Sequence, residues 1–251
     1  MIGELRDRAK RAIGDSPAGP AARSAYRAVF RPAVARRERR DNDALKVIMA
    51  ATLGPDSSAI DVGAHRGDVL RDIVRLAPHG RHVAYEPIPD MHRALVAEFP
   101  GVDVRAAALS DEPGETEFTH VRTSPAYSGL RERTYPGREE LEKIPVRLET
   151  LDTALAVGLA PAFIKIDVEG AELQVLRGGI ELLSRHRPLV VFEHGNDASP
   201  AYGTQPAQVW ELLNDAAGLR IFDLDGGGPY SLAQFEETFR SGSRWNFMAR
   251  A

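Results

Sequence analysis

The sequence predicts an α/β fold, a doubly wound and mostly parallel sheet with helices on both faces, and three observations predict it. Short apolar runs alternate with amphipathic stretches at helical spacing from about residue 59 onward. Several of those runs end at or next to an acid, namely Asp61, Glu86, Asp167 and Glu193. The first run is followed by Gly63 and Gly67, where the pattern turns helical. In such a sheet the crossovers are right-handed and ligands bind outside the carboxyl ends of the strands. Carboxylates are costly to bury and no salt-bridge pattern in the sequence explains four of them, so that edge of the sheet is the expected site.

Each element has its own signal. Up to about residue 41 the chain reads as two helical pieces separated by Asp15-Ser-Pro-Ala-Gly-Pro20, since two prolines and a glycine stop a helix. The second piece runs on toward Ala44 to Leu53 and ends at Pro55-Asp-Ser-Ser. Ala59 to Val62 is the first strand, and Val69, Leu70, Ile73, Val74 and Ala77 recur at helical spacing behind it. Arg81 to Glu86 repeats the pattern, with a helix from Pro87-Ile-Pro-Asp90 through Met91, Leu95 and Phe99. A third strand is expected over Val102 to Ala107. Two further strands, Glu115 to Val121 and Ile144 to Leu151, are expected at a sheet edge. The polar stretch 122–143 between them is long enough to be a lid or a disordered connection.

The βα rhythm then returns. Phe163 to Asp167 is a strand, and Ala171, Leu173, Leu176, Ile180 and Leu183 lay out one helix after it. Pro188 to His194 is another strand. Val209, Leu212, Leu213 and Ala216 give a helix that Gly218 can end, followed by strand from Leu219 to Leu224. Ser231 to Gln234 fits a capping box opening a short helix, and Trp245 to Ala249 reads as the last strand.

Composition narrows the class of protein. The 251 residues fit one large domain with an appendage, here a basic helical extension over 1–41 and a main domain over 42–251. The sequence has no apolar run of membrane-spanning length and no signal-peptide pattern at Met1-Ile-Gly-Glu-Leu-Arg6, so the expected compartment is the cytoplasm. With no cysteine there is no disulfide, thiolate nucleophile or Cys-ligated zinc. The net charge of −4 hides an asymmetry, because residues 1–41 are strongly basic and the remainder is acidic. Such an arm could touch a membrane surface peripherally, an anionic substrate or nucleic acid. The reading favoured here is a solvated helical extension that packs its Ala/Val/Phe stripe on the body or on a second copy in a homo-oligomer.

The spacing of the acids points to a cofactor. Glu86 lies near the roughly 20-residue offset after Gly63 at which an acid accepts hydrogen bonds from ribose hydroxyls. The glycines are spaced G-x-x-x-G, not the G-x-G-x-x-G of a dinucleotide pyrophosphate turn, and no G-K-[ST] P-loop is present. A nucleoside without phosphates suits S-adenosylmethionine, its ribose at Glu86 and its methionine end over Gly63 to Gly67. Asp61 is then placed to hold the methionine ammonium, directly or through water, or to act as a structural helix cap.

These residues also resemble a known family. Ile60-Asp-Val-Gly-Ala-His-Arg-Gly67, Tyr85-Glu-Pro-Ile-Pro89, Ala108-Leu-Ser-Asp111, Thr150-Leu-Asp152 and above all Lys165-Ile-Asp-Val-Glu-Gly-Ala-Glu172 with Leu176-Arg-Gly178 are similar to the FkbM-type methyltransferases over about residues 58–195. The resemblance implies a class I Rossmann-like methyltransferase that uses S-adenosylmethionine and acts on a hydroxyl of a sugar, glycan or other natural product. It also implies that Ser110 and Asp111 lie near the adenine. His65 stands where the family often has Asn, and no role is carried to it. The basic arm and the region after about residue 195 lie outside the resemblance.

Methyl transfer to a hydroxyl needs an in-line methyl, close contact and a sink for the proton. Asp167 ends one strand and Glu193-His194 the next, and these strands should be neighbours with both ends at the cleft. The group could act as a general base, through His194 or Asp167, with Glu169 a further candidate whose other role is favourable charge at the start of a helix. Alternatively Asp167, Glu193 and His194 could together hold magnesium or manganese. The competing functions are a nucleic-acid methyltransferase, suggested by the basic arm, and a non-catalytic S-adenosylmethionine-binding module that docks through it. Against the former, the fourth strand ends in Ile-Asp-Val-Glu and lacks the Asn/Asp-Pro-Pro-aromatic run that holds a flipped base.

Overall fold

The computed structural model describes residues 19–251 apart from 136 and 157. The first helical piece expected before Asp15 lies outside the described residues. The second is one continuous helix, α1 (Gly19–Thr52), which passes through residue 41 without a break. Its last turns bury Leu45, Met49 and Leu53 against the body. Two of its arginines also meet acids of the body: Arg37 and Arg40 lie 3.6 and 2.8 Å from Asp225. No helix among the described residues is long and apolar enough to cross a membrane.

Behind α1 come β1 (Ser58–Val62), α2 (Asp68–Leu76), β2 (His82–Tyr85), α3 (Pro89–Glu98), β3 (Asp103–Arg105), β4 (Ala107–Leu109), β5 (Gly114–Val121) and β6 (Leu141–Glu149). The chain continues through α4 (Thr153–Ala156), β7 (Pro161–Ile166), α5 (Glu172–Arg177), α6 (Ile180–His186), β8 (Leu189–Glu193), α7 (Pro206–Glu211), β9 (Arg220–Asp223), α8 (Leu232–Ser241) and β10 (Asn246–Arg250). Seven strands form the main sheet in the order β3-β2-β1-β7-β8-β10-β9. All pairs are parallel except those that β10 makes with β8 and β9. This is the doubly wound, mostly parallel class I Rossmann-like sheet that the sequence predicts.

The period-2 alternation of the central strands explains the two layers. Ile60, Val62, Ile164, Ile166, Val190 and Phe192 face α5, α6, α7 and α8 in one core. Ala59, Phe163 and Val191 face α1 and α2 in another. Asp61 and Lys165 are register partners in β1 and β7 and share a sheet face, so an acid and a base are buried side by side.

Three expectations are corrected. The single strand expected over Val102 to Ala107 is split at Ala106: Arg105 still pairs with Tyr85 in the main sheet, while Ala107 pairs with Arg147 of β6. The strands expected at a sheet edge therefore build a separate three-stranded sheet, β4-β6-β5. The single helix expected from Ala171 to Leu183 is broken at Gly178-Gly179, where the backbone of Ser110 and the side chain of Leu151 approach so closely that a Cβ would lie 2.1 Å from Ser110 O and 2.5 Å from Leu151 Cδ2. Asp152 receives the restarted helix, accepting the Leu182 N–H at 2.7 Å and the Glu181 N–H at 3.3 Å.

Candidate active site

A cavity of about 200 Å³ opens at the carboxyl ends of β1, β2 and β7. Gly63, His65, Glu86, Asp167 and Glu169 supply its polar wall. Ala107, Ala108 and Leu109 of β4, Phe118 of β5, and Ala126, Ser128 and Leu130 from the stretch 122–143 supply the other side. The small sheet thus closes the cleft that the main sheet leaves open at its switch point.

The turn after β1 is shaped by close contacts. Gly63 (φ 81°) lies so near β7 that a Cβ would fall 2.0 Å from the Asp167 carbonyl oxygen. Gly67 (φ 78°) instead packs on α3, where a Cβ would meet Leu95 and Phe99 at 2.8 Å, and it is not on the cavity wall. Between them His65 adopts φ 49° and donates its N–H to Glu86 Oε2 at 2.7 Å. Glu86 Oε1 accepts the Ile88 N–H at 2.8 Å. The carboxyl is thereby fixed on both oxygens, with lone pairs to spare for a ligand, and burial pushes it up to about 7.

Asp61 sits behind the wall, 2 % exposed. One oxygen takes the N–H of Leu70 in α2, as a structural cap would, while Oδ2 is buried without a partner. Burial raises this carboxyl to about 7 against the pull of Lys165. Ser110 and Asp111 hydrogen-bond to each other at 3.0 Å, just past Leu109 and outside the lining.

The expected chemical group is divided by the structure. Asp167 faces the cavity with its side chain 41 % exposed, and Lys165 Nζ donates to its Oδ2 at 3.1 Å. Burial alone would raise Asp167, but Lys165 and a hydrogen bond from Glu193 outweigh it and hold the carboxyl below its ordinary value. Glu193 lies behind Asp167, off the wall, and burial with the charges of Asp167 and Glu169 pushes it well up. Glu169, in a left-handed turn (φ 57°), is raised to about 8 by burial and Asp167 against the pull of Arg133. Glu172 begins α5, as expected of a first-turn acid, and accepts the N–H groups of Gly170 and Val168 at 3.0 and 3.2 Å.

His194 does not join them. Strand alternation turns it to the opposite face of β8, where it stacks on Phe235 and Phe239 with centroids 5.5 and 4.9 Å away and its Nδ1 meets Ser199 Oγ at 3.2 Å. Burial lowers it to about 4, so it is neutral, but it is not on the cavity wall. The expected metal set of Asp167, Glu193 and His194 is corrected on the same ground: among the described residues no three such side chains converge as metal ligands.

Two contributors were not expected. His65 is on the wall, and Arg133, 7 % exposed, binds Glu169 from the stretch 122–143. The first had a signal in its place between two turn glycines; the second is one cation among many in a polar stretch, with nothing in sequence to mark its partner.

The methyltransferase FkbM domain matches residues 61–220. The AMB antimetabolite synthetase AmbE of Pseudomonas aeruginosa is 37% identical over 84 residues, which are 32% of this chain but only 4% of that protein. A solved FkbM methyltransferase from Methylobacillus flagellatus KT is 15% identical with a TM-score of 0.49, the match covering 79% of this chain and 44% of that one. A TehB-like SAM-dependent methyltransferase from Corynebacterium glutamicum is 11% identical with a TM-score of 0.45, over 92% and 98% of the two chains.

Proposed function

This chain belongs to the FkbM methyltransferase family, and from that premise we propose that it is an S-adenosylmethionine-dependent O-methyltransferase for a hydroxyl of a sugar, glycan or other natural product. The observation that carries the reading is that the ionised carboxylate of Asp167 shares one cavity with Gly63 and with the doubly anchored carboxyl of Glu86.

The residues fit the cofactor. Glu86 keeps lone pairs for two ribose hydroxyls, and Gly63 exposes backbone where a side chain has no room. Asp61, buried behind the turn, offers its unpartnered Oδ2 as an acceptor for the methionine ammonium, directly or through water. Ser110 and Asp111 stand past the Leu109 end of the wall and serve the adenine only at its rim. The apolar side chains of Ile88, Leu109 and Phe118 offer a water-poor wall for a base or for the acceptor.

When bound, S-adenosylmethionine supplies an electrophilic methyl on sulfonium sulfur. The work of this chain is then to place a hydroxyl in line and to take its proton as the new C–O bond forms and the C–S bond breaks. Asp167 is the acceptor of that proton, because it stands on the wall and is held ionised, whereas Glu169 is raised to about 8, Glu86 is taken up by the ribose and Glu193 lies off the wall. Lys165 keeps it ionised and oriented. Protonated Glu169 is a hydrogen-bond donor toward the acceptor.

Calorimetry with S-adenosylmethionine tests the cofactor, and absence of binding by the intact protein would sink the reading. Incubation with methyl-labelled S-adenosylmethionine and an extract of the source cell, with and without chelator, identifies the acceptor. Label on a hydroxyl oxygen supports the proposal; label on a nucleic-acid base nitrogen overturns it.

A further inference from the structure

We propose that His65 is the positioning residue for the amino-acid carboxylate of the cofactor, donating a hydrogen bond to it from Nε2. The proposal rests on the S-adenosylmethionine reading above and assigns a group of that ligand which the other residues leave without a partner.

The wall of the cavity is dominated by acceptors. Glu86 and Asp167 suit hydroxyls and cations, protonated Glu169 is committed to the methyl acceptor, and the methionine end of the ligand brings an ammonium that the acids accommodate. The same end brings a carboxylate, which needs N–H or O–H donors and is repelled by carboxylates. Few side chains on the wall can donate. Tyr85 has its hydroxyl beside Arg105, with Arg105 Nη1 3.4 Å away, and Ser128 stands in the opposite wall, where its Oγ accepts the Val121 N–H at 2.9 Å. On the β1 turn itself the donor is His65.

Its geometry is that of a group waiting for a ligand. The backbone is held in the left-handed region, an uncommon conformation for a residue with a Cβ, and the N–H bond to Glu86 locks it there. Nε2 is buried and has no partner in the protein. An unpaired buried imidazole nitrogen costs free energy that a ligand atom can recover. Burial, with Arg66 next, holds the ring below the ordinary imidazole range, so it enters the complex neutral, and the tautomer with its proton on Nε2 is the one that donates to a carboxylate. The His65 N–H bond also couples the two ends of the ligand, since Glu86 is at once the ribose partner and the anchor of the histidine turn.

Two ligands separate this role from a merely structural one. S-adenosylhomocysteine carries the amino-acid carboxylate, and 5′-methylthioadenosine has the same nucleoside without the amino acid. The expected result by calorimetry is that His65→Ala weakens S-adenosylhomocysteine about tenfold, as for loss of one hydrogen bond to a charged group, and leaves 5′-methylthioadenosine unchanged. Equal weakening of both, or of neither, overturns the proposal. Should the variant not fold, the wild-type protein labelled with nitrogen-15 decides: S-adenosylhomocysteine must move the assigned His65 Nε2 resonance and 5′-methylthioadenosine must not. Failure of the intact protein to bind either ligand would remove the cofactor reading itself. Tight binding with an unmoved His65 would remove only this one.

Discussion

Arg133 Nη2 lies 2.5 Å from Glu169 Oε2, and this contact ties the stretch between β5 and β6 to the turn after β7. The guanidinium is buried and rests on the ring of Tyr127, 4.9 Å from its centroid. Arg131 reinforces the tie, its N–H reaching Tyr202 Oη at 3.1 Å. Ala126, Ser128 and Leu130 on the cavity wall are therefore held down by cations that follow them in sequence.

Replacing Arg133 should loosen that wall. Arg133→Ala removes the cation that donates to Glu169; because Glu169 carries its own proton near neutral pH, no bare charge is left behind, and the loss is that of one largely buried hydrogen bond, about 1–3 kcal/mol. Hydrogen exchange is expected to accelerate at the amides of 125–135 and not in β1 or β7. Unchanged protection across that stretch would show that the apolar contacts hold it without the arginine.

The divided fate of the acids and His194 gives a second expectation. Asp167→Asn should lower methyl transfer on the order of 100-fold or more while cofactor affinity stays within a few-fold. His194→Gln should leave the rate near wild type, because the imidazole is stacked between aromatic rings and off the wall. Transfer of label in a cell extract measures both. A large loss in His194→Gln with an intact Tm would reinstate histidine as the base.

How far the sequence could be read follows from what is local. Strand ends, the glycine turn and the Ser231 capping box are encoded in a few neighbouring residues, and the structure has them all. The face of His194 followed from strand period alone: if Glu193 belongs to the site, its neighbour points the other way. What could not be read is long-range. The break at Gly178-Gly179 depends on Ser110 and Leu151, and the split at Ala106 depends on a strand some forty residues later. Apolar periodicity runs through both without marking either.

Glu86 is expected to matter twice. Glu86→Ala removes the acceptor for the His65 and Ile88 N–H groups, each worth about 1–3 kcal/mol when left buried and unpaired, and it removes the ribose partner. Glu86→Gln keeps one acceptor oxygen and so should fold better. Calorimetry should show S-adenosylmethionine weakened in both variants, and more in the alanine. Equal affinity in Glu86→Gln and wild type would mean that the charge of Glu86 contributes nothing to the site.

The buried acids also set a pH dependence whose sign can be worked out. Burial first of all raises Asp61, Glu86 and Glu172 to about 7 and Glu169 to about 8, while the unfolded chain releases these protons near the ordinary values of 3.8 and 4.5. The folded state thus holds more protons, and stability falls as pH rises through the window up to about 8. Histidines oppose this at lower pH: burial depresses His65, His82 and His194, so each favours the folded state as pH rises toward 6.5. The depressed Asp167 acts below 3.8 and does not enter. Above 6.5 only the acids remain, so Tm should drop between pH 6.5 and 8, at about 2–4 °C per kcal/mol for a chain of this size. Glu169→Gln should flatten the upper part of that slope, because the amide carries no proton to lose. A Tm that rises or stays level from pH 6.5 to 8 in the wild type would mean that these carboxyls are already ionised in the folded protein, and that the cavity holds enough water to keep them so.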